Sequence, residues 1–294
     1  MSDIANGHEW LAERFEENRE RLRASAYQML GSLSEADDAV QEAWLRLSRS
    51  DAGVIQNLRA WLTTVVAHVC LDMLRSRASR REESLEAQLP EPAAGRAEQI
   101  DPEHEALLAD SVGLALLVVL DRLTPAERVA FVLHDMFDVS FDDIAGIVGR
   151  SPTAARQLAS RARRRVRGPI ETPDTDLASQ RKVVEAFLAA LRSGDFEALV
   201  ALLDPDVFVR VEGPGGTREI RGAANWARGA ITFSRHARFV QPALVDGTVG
   251  LVLAPGGRLL RALHFTISDG KIRHADIIAD PEHLKQLDLA VLND

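Results

Sequence analysis

The stretch SFDDIAGIVGRSPTAARQLASRARRRVR, residues 140–167, predicts two helices joined by a tight turn. Its first half carries apolar residues at helical spacing, and Gly149 supplies a flexible turn. Ser151 and Pro152 mark the start of the second helix, because they give a capping hydroxyl followed by a proline at the first helical position. The stretch therefore predicts a helix-turn-helix.

The second of these helices is strongly basic. Six arginines and no acid lie between residues 156 and 167. Such a helix suits a DNA major groove, where arginine, amide and hydroxyl side chains bond base edges and phosphates. The alternative is a solvated basic helix at the end of an ordinary bundle, and the turn, the cap and the charge together favour DNA. The predicted DNA-binding residues are Arg156, Gln157, Ser160, Arg161, Arg163 and Arg164.

Length and composition limit the class of protein. At 294 residues the chain is long enough for two or three domains. Its net charge of -9 argues against a free-standing DNA-binding protein, since such a domain presents a basic surface to phosphates. A single cysteine, Cys70, no signal peptide and no membrane-length apolar run predict a cytoplasmic protein without a membrane partner. Basic clusters on an acidic background predict a subunit that reaches DNA when a larger basic partner holds it.

The chain before the helix-turn-helix predicts further helices and a linker. Residues 8–81 indicate three amphipathic helices in an all-α bundle. The second exposes an acidic face, which is either a solvated surface or a docking site. That face consists of Asp37, Asp38, Gln41 and Glu42 beside Trp44. Residues 82–110 indicate an acidic, proline-containing linker. Within it, a stiff extended segment suited to groove docking consists of Leu89, Pro90, Glu91 and Pro92.

The last third of the chain predicts an α+β domain at residues 177–294, with helices first and an antiparallel sheet after. If Asp269 and Gly270 form a two-residue hairpin turn, Phe265 faces His274 and Leu263 faces Asp276. His274 and Asp276 would then share an apolar face with a pocket. The residues predicted for that pocket are Trp226, His274 and Asp276. The alternative is a polar pair without chemistry.

Three motifs in this order resemble the extracytoplasmic-function (ECF) sigma factors of bacterial RNA polymerase. They are DDAVQEAWLRL at 37–47, NLRAWLTTVVAHVCLDMLRSRASRR at 57–81 and LTPAERVAFVLHDMFDVSFDDIAGIVGRSPTAARQLASRARRRV at 123–166. The resemblance implies that the protein binds core RNA polymerase at its clamp and flap, that the acidic face docks on the clamp, and that the basic helix reads the promoter −35 element. It also implies −10 element melting by Trp61, Asp72, Arg75, Arg77 and Arg80.

The C-terminal domain resembles the cone-shaped, SnoaL-like members of the NTF2-like fold. The predicted fold is therefore multidomain: two all-α sigma domains, at 8–81 and 111–168, followed by an α+β SnoaL-like domain. The resemblance implies that this extension regulates the sigma domains in cis through the linker, and that the protein is not an enzyme, needs no cofactor or metal, and is monomeric when free. Two alternatives stay open: a ligand-sensing helix-turn-helix regulator, or a cyclase or hydrolase that uses His274 and Asp276 as acid and base.

Overall fold

The computed structural model describes residues 2–50, 55–86, 113–168 and 174–292. The predicted docking segment from Leu89 to Pro92 lies outside the described residues. The helices before residue 170 are α1 Ser2–Leu30, α2 Leu33–Arg49, α3 Leu58–Glu86, α4 Leu114–Asp121, α5 Pro125–Phe131, α6 Phe141–Val148 and α7 Pro152–Arg167. No helix in the described ranges is long and apolar enough to cross a membrane.

The chain divides into two compact units. The first contains the described residues up to 86 together with 123–163, and its helices α1, α2 and α3 form the predicted bundle. Ser32 caps α2 by accepting a hydrogen bond from the Glu35 amide, and Asn57 caps α3 by accepting one from the Ala60 amide. The bundle core is apolar and includes the fully buried Phe15, Tyr27, Val40, Leu47, Leu62 and Leu71.

The helix-turn-helix lies in the same unit up to Arg163, and its local signals act as the sequence predicts. Thr124 and Glu127 form a capping box at the start of α5, which continues as a π-helical turn at Val132–Met136. Gly149 ends α6 in the left-handed conformation, with φ of 68°, so the chain turns sharply into α7. The buried side of α7 is a row of small residues, Ala155, Ala159 and Ala162.

Arg128 joins the bundle to the helix-turn-helix inside the first unit. Its side chain is only 3% exposed. The guanidinium of this α5 residue donates a hydrogen bond to the Gln28 carbonyl oxygen of α1 at 3.5 Å. A buried guanidinium needs acceptors because it cannot lose its charge. The contact therefore ties α5 to the three-helix bundle.

The second unit contains residues 113–122 and the described residues from 164 onward. Its further elements are α8 Asp174–Ser193, α9 Phe196–Leu202, β1 Leu203–Gly213, β2 Gly216–Arg221, α10 Ala223–Ile231, a 3-10 turn Ser234–Phe239, β3 Val240–Val245, β4 Thr248–Leu253, β5 Arg261–Ser268, β6 Lys271–Ile278, α11 Pro281–Gln286 and β7 Leu289–Ala290. The strands form one sheet in the order β2-β1-β6-β5-β4-β3-β7. Strands β1 and β6 are parallel, and the other neighbours are antiparallel. The predicted α+β class is confirmed.

The hairpin between β5 and β6 has the predicted turn but not the predicted register. Asp269 and Gly270 both have positive φ, as a two-residue hairpin turn requires, and Ile267 faces Ile272. A β-bulge at Arg273 then adds one residue to β6. Beyond it Phe265 faces Ala275 and Leu263 faces Ile277, so the predicted pairing of these two residues with His274 and Asp276 is wrong.

Candidate nucleic-acid interface and cavity

The acidic face of α2 is present and partly occupied by internal ion pairs. Asp37 accepts two hydrogen bonds from Arg23 of α1, at 2.6 and 3.0 Å, and Glu42 pairs with Arg46 one turn later. Asp38 and Gln41 are exposed. The two exposed residues therefore leave hydrogen-bonding groups that a partner can reach.

Two hydrophobic residues complete the surroundings of this face. Trp44 is half-buried and packs against Phe15, with ring centroids 5.1 Å apart, so part of its role is to hold α1 on α2. Leu45 is 37% exposed and lies three and four residues beyond Glu42 and Gln41, on the polar side of the helix. Sequence reasoning missed Leu45, although an apolar residue among exposed polar ones was the signal for it.

Helix α3 carries all five predicted −10 residues, but only three of them share one stripe along the helix. Trp61, Asp72 and Arg75 lie on one stripe, because eleven residues make just over three full helical turns and three residues make most of one. Trp61 is half-buried, whereas Asp72 and Arg75 are exposed and approach each other to 3.8 Å. His68 lies on the same stripe and its Nδ1 is 2.9 Å from the Thr64 carbonyl oxygen.

The other two arginines predicted for the −10 element, Arg77 and Arg80, differ from each other. Arg80 is exposed. Arg77 is half-buried, pairs with the Glu35 carboxylate and donates a hydrogen bond to the Leu30 carbonyl oxygen at 2.9 Å. Arg77 therefore joins α3 to the connection between α1 and α2, a contact that sequence reasoning did not foresee.

Helix α7 presents a polar outer face opposite its alanine row. Arg156, Gln157, Ser160 and Arg164 are exposed at helical spacing, and Thr153 precedes them on the same face. The Arg156 guanidinium lies 5.1 Å from the centre of the Phe141 ring, a cation–π contact that fixes the side chain at the start of the helix. This arrangement matches a helix that can enter a DNA groove with its N-terminal half.

The remaining two predicted residues of α7 make contacts inside the helix-turn-helix. Arg161 lies 3.5 Å from the carboxylate of Glu127, which is 5% exposed, although most of the arginine remains in solvent. Arg163 donates a hydrogen bond to Asp135 at 2.5 Å. Both pairs hold α7 on the preceding helical segment, so these arginines also fix the geometry of the helix.

The C-terminal domain contains a cavity of about 460 Å³. Its deep part is apolar: Trp226 stacks on Phe187 with ring centroids 5.3 Å apart, and Leu251 is fully buried beside them. The lining also includes Arg218 and Arg261. Trp226 therefore lies where the sequence predicts, and the two arginines are lining residues that sequence reasoning missed.

His274 and Asp276 lie outside the cavity, and their predicted place in its lining is wrong. The bulge at Arg273 turns them to the opposite face of the sheet. There His274 Nε2 lies 3.1 Å from Asp276, which also accepts a hydrogen bond from Arg210 at 2.7 Å. The pair remains together but has no access to the enclosed space. Among the described residues, no group of three or more His, Cys, Asp or Glu side chains could hold a metal ion.

A helical bundle with an acidic face, a polar stripe on α3 and a helix-turn-helix together indicate a class of protein that links DNA to a larger partner. Family models agree: Sigma-70 region 2 matches residues 14–80 and Sigma-70 region 4 matches residues 113–166. The chain belongs to the ECF family of RNA polymerase sigma factors, which direct promoter-specific transcription initiation. Two alternatives, a separate ligand-sensing regulator and a cyclase, are not favoured.

Relatives from Mycobacterium tuberculosis match along nearly the whole chain. The ECF RNA polymerase sigma factor SigJ is 40% identical over 286 residues, which cover 91% of each chain. A probable ECF RNA polymerase sigma factor, SigI, is 34% identical and covers 95% of this chain and 97% of its own. The crystal structure of SigJ matches with a TM-score of 0.44 at 35% identity, covering 92% of this chain and 97% of that one.

Proposed function

We propose that three surfaces of this sigma factor divide the work of initiation. The α2 face around Asp38 docks on the polymerase clamp. The α3 stripe of Trp61, Asp72 and Arg75, with the neighbouring Arg77 and Arg80, opens the −10 element. The outer face of α7 reads the −35 element while the helix-turn-helix rests on the flap. The supporting observation is that each surface contains exposed polar side chains at helical spacing.

The proposed docking face offers a partner both polar and apolar contacts. Asp38 and Gln41 offer exposed hydrogen-bonding groups, and Leu45 adds apolar area between polar neighbours. Binding energy concentrates in a few such residues, and opposite charges on the partner speed association. Asp38 therefore supplies charge and Leu45 supplies buried area when a basic partner covers the face.

Charge reversal at this face tests the assignment. We expect Asp38→Lys combined with Leu45→Ala to weaken binding to core polymerase by at least about tenfold, since the interface loses both an apolar contact and a charge pair. Surface plasmon resonance with immobilised core enzyme measures this. The matched control is Glu13→Lys, which reverses an exposed acid on α1. Equal binding by the double variant and the control would contradict the proposed docking face.

Regulation in cis is supported by the way the C-terminal domain holds α4, which lies in the Sigma-70 region 4 match. Arg122, directly after α4, donates hydrogen bonds to the carbonyl oxygens of Leu284 and Leu287 at the end of α11. The Ala115 amide at the other end of α4 donates to the Gln241 side chain at 3.3 Å. Burial lowers the pKa of Arg122, and the nearby carboxylates of Asp288, Asp246 and Asp121 offset part of that shift.

The C-terminal tail also reaches α7. The Val291 amide donates a hydrogen bond to the Val166 carbonyl oxygen in the last turn of that helix, at 2.8 Å. Both ends of region 4 are thus in contact with the last part of the chain. We infer that the C-terminal domain restrains region 4 and that promoter engagement works against this restraint.

Run-off transcription with core polymerase and one promoter tests the restraint. We expect Arg122→Ala, and separately a chain ending at Pro281, to raise initiation several-fold, because hydrogen bonds to a charged group contribute about 1.5–3 kcal/mol each. Arg258→Ala, which changes an exposed arginine of the same domain, is the control. Unchanged or lower initiation in both altered chains would rule out restraint by these contacts.

The C-terminal domain acts without catalysis in this proposal. His274 and Asp276 are the residues that would supply acid and base, and their position on the face of the sheet opposite the cavity supports a role without catalysis. His274→Ala should therefore leave transcription unchanged in the same assay. The protein then has polymerase, promoter DNA and its own C-terminal domain as partners.

A further inference from the structure

The cavity of the C-terminal domain has an apolar interior and two arginines that face inward. Arg261 pairs with Leu253 across β4 and β5, and Leu263 pairs with Leu251, so all four side chains share the core-facing side of the sheet. Arg261 thus ends an inward row that continues through Leu263 to the buried Phe265. A charged residue in an inward apolar row needs a partner or solvent at the cavity mouth.

Arg218 takes the equivalent position on the opposite edge. It pairs with Val211 across β1 and β2, and Val211, Ile220 and Arg218 all line the cavity. Arg218 is exposed, which places it at the opening, while Trp226 is 3% exposed at depth. The space is therefore apolar inside and has a cationic group on two sides of its entrance.

The acid on the lining does not neutralise this charge. Glu212 Oε2 lies 3.1 Å from His283 Nδ1 of α11, so this carboxylate already has a neighbour. In the described part of the chain, neither Arg218 nor Arg261 has a carboxylate within ion-pair distance, and Arg261 instead lies 4.8 Å from the centre of the Phe233 ring. A cation held over an aromatic face keeps its outer edge available for a second, anionic partner.

We propose that this cavity binds an amphipathic monocarboxylate, with its apolar body against Trp226, Phe187 and Leu251 and its carboxylate on Arg261 and Arg218. The volume lies in the usual range for small-molecule sites, about 300–1,000 Å³. Guanidinium groups match carboxylates geometrically and give bidentate hydrogen bonds. The site deepens the proposed regulation by naming the chemical class of its effector, and in that respect rests on it.

The position of the site gives it a route to region 4. Glu212 is part of the lining and neighbours His283, which belongs to the same short helix whose carbonyl oxygens hold Arg122. A ligand that displaces the Glu212 segment would therefore act on α11, and α11 acts on α4. The contacts run through adjacent residues of a single unit.

Binding is tested on the full chain without transcription. The probes are decanoate and 2-naphthoate, each compared with its neutral amide, decanamide and 2-naphthamide, by isothermal titration calorimetry. At least one carboxylate should bind at least about tenfold tighter than its amide. In Arg218→Gln/Arg261→Gln that preference should fall to within twofold, whereas Arg228→Gln, an exposed arginine of α10 outside the lining, should keep it.

Two outcomes would overturn the proposal: amides that bind as well as both carboxylates, or a carboxylate preference that survives in the double variant. Circular dichroism checks that the double variant is folded. If the variant does not fold, the comparison of carboxylate with amide on the unaltered chain still tests the proposal. Because the readout is binding, a failure here leaves the restraint of region 4 standing. A failed transcription test likewise leaves the ligand site standing.

Discussion

At the scale of single residues, burial controls the chemistry of Cys70. The thiol lies in the core of the α1–α3 bundle, and burial raises its pKa to about 12, against a small opposing effect of the Arg128 charge. In the unfolded chain the thiol ionises near its ordinary value of about 8.5. The folded state therefore keeps a proton that the unfolded state loses, and this contribution to stability is complete below pH 8.5 and disappears as the pH rises towards 12.

We therefore expect the free energy of unfolding of the unaltered chain to fall between pH 8 and pH 10 more than that of Cys70→Ala. The two losses should differ by about 1–2 kcal/mol. The reason is that each pH unit above the pKa of the unfolded thiol lowers the free energy of unfolding by about 1.4 kcal/mol. Urea unfolding at both pH values measures it, and Cys70→Ala serves as control because it lacks the titrating group. Equal losses of unfolding free energy in the two proteins would show that folding does not protect the Cys70 thiol from ionisation.

Residue-scale predictions from the sequence succeeded where the position of a side chain depends on local spacing. The outward positions of Arg156 and Gln157 follow from helical periodicity alone. Arg77 and Arg163 could not be placed this way, because their acidic neighbours Glu35 and Asp135 lie 42 and 28 positions away in the chain. Ion pairs between distant residues depend on tertiary packing, which residue spacing does not encode.

At the scale of elements, the alanine row of α7 sets how closely that helix approaches its neighbours. Ala159 is fully buried and Ser160 beside it is exposed. Ala159→Leu should lower the free energy of unfolding by about 1–3 kcal/mol, because added methylene groups overpack a filled core. Ser160→Leu should leave stability within about 0.5 kcal/mol but weaken binding of the −35 element. Chemical denaturation measures the loss of stability, and DNA binding by the holoenzyme measures the loss of −35 recognition. Similar losses of stability in the two variants would contradict the assignment of Ala159 to the buried face and Ser160 to the exposed face.

The β5–β6 hairpin shows what limited prediction of the cavity. Its turn follows from Asp269 and Gly270, which tolerate positive φ, and the sequence identifies it. The bulge at Arg273 leaves no comparable signal; its side chain reaches Asp204 and Asp269 on the exposed surface. One extra residue exchanges the two faces of a strand. The error in the predicted register therefore left the predicted fold class correct but put His274 and Asp276 on the wrong face of the sheet.

At the scale of the whole molecule, the first unit conflicts with the geometry of a two-part promoter. The −10 and −35 elements lie about 25 base pairs apart, or roughly 85 Å at about 34 Å per helical turn. Yet Arg128 of α5, the helix before the helix-turn-helix, donates a hydrogen bond to the Gln28 carbonyl oxygen in the bundle that we propose carries the −10 surface. Regions 2 and 4 cannot keep this contact and occupy both elements at once. We therefore expect the contact to break when the promoter is engaged.

Fluorescence energy transfer can follow this separation, since the shielded thiol of Cys70 leaves labelling to introduced cysteines. Arg49→Cys at the end of α2 and Asp142→Cys in α6 place one dye on each region at exposed positions of the first unit. We expect high transfer in the free chain and nearly none in the promoter complex, because roughly 85 Å exceeds the range of the common dye pairs. A pair confined to region 2, Arg49→Cys with Glu13→Cys, should keep its efficiency throughout. If the first pair also kept its efficiency on the promoter, regions 2 and 4 would engage DNA without separating, and the closed unit would be the active form.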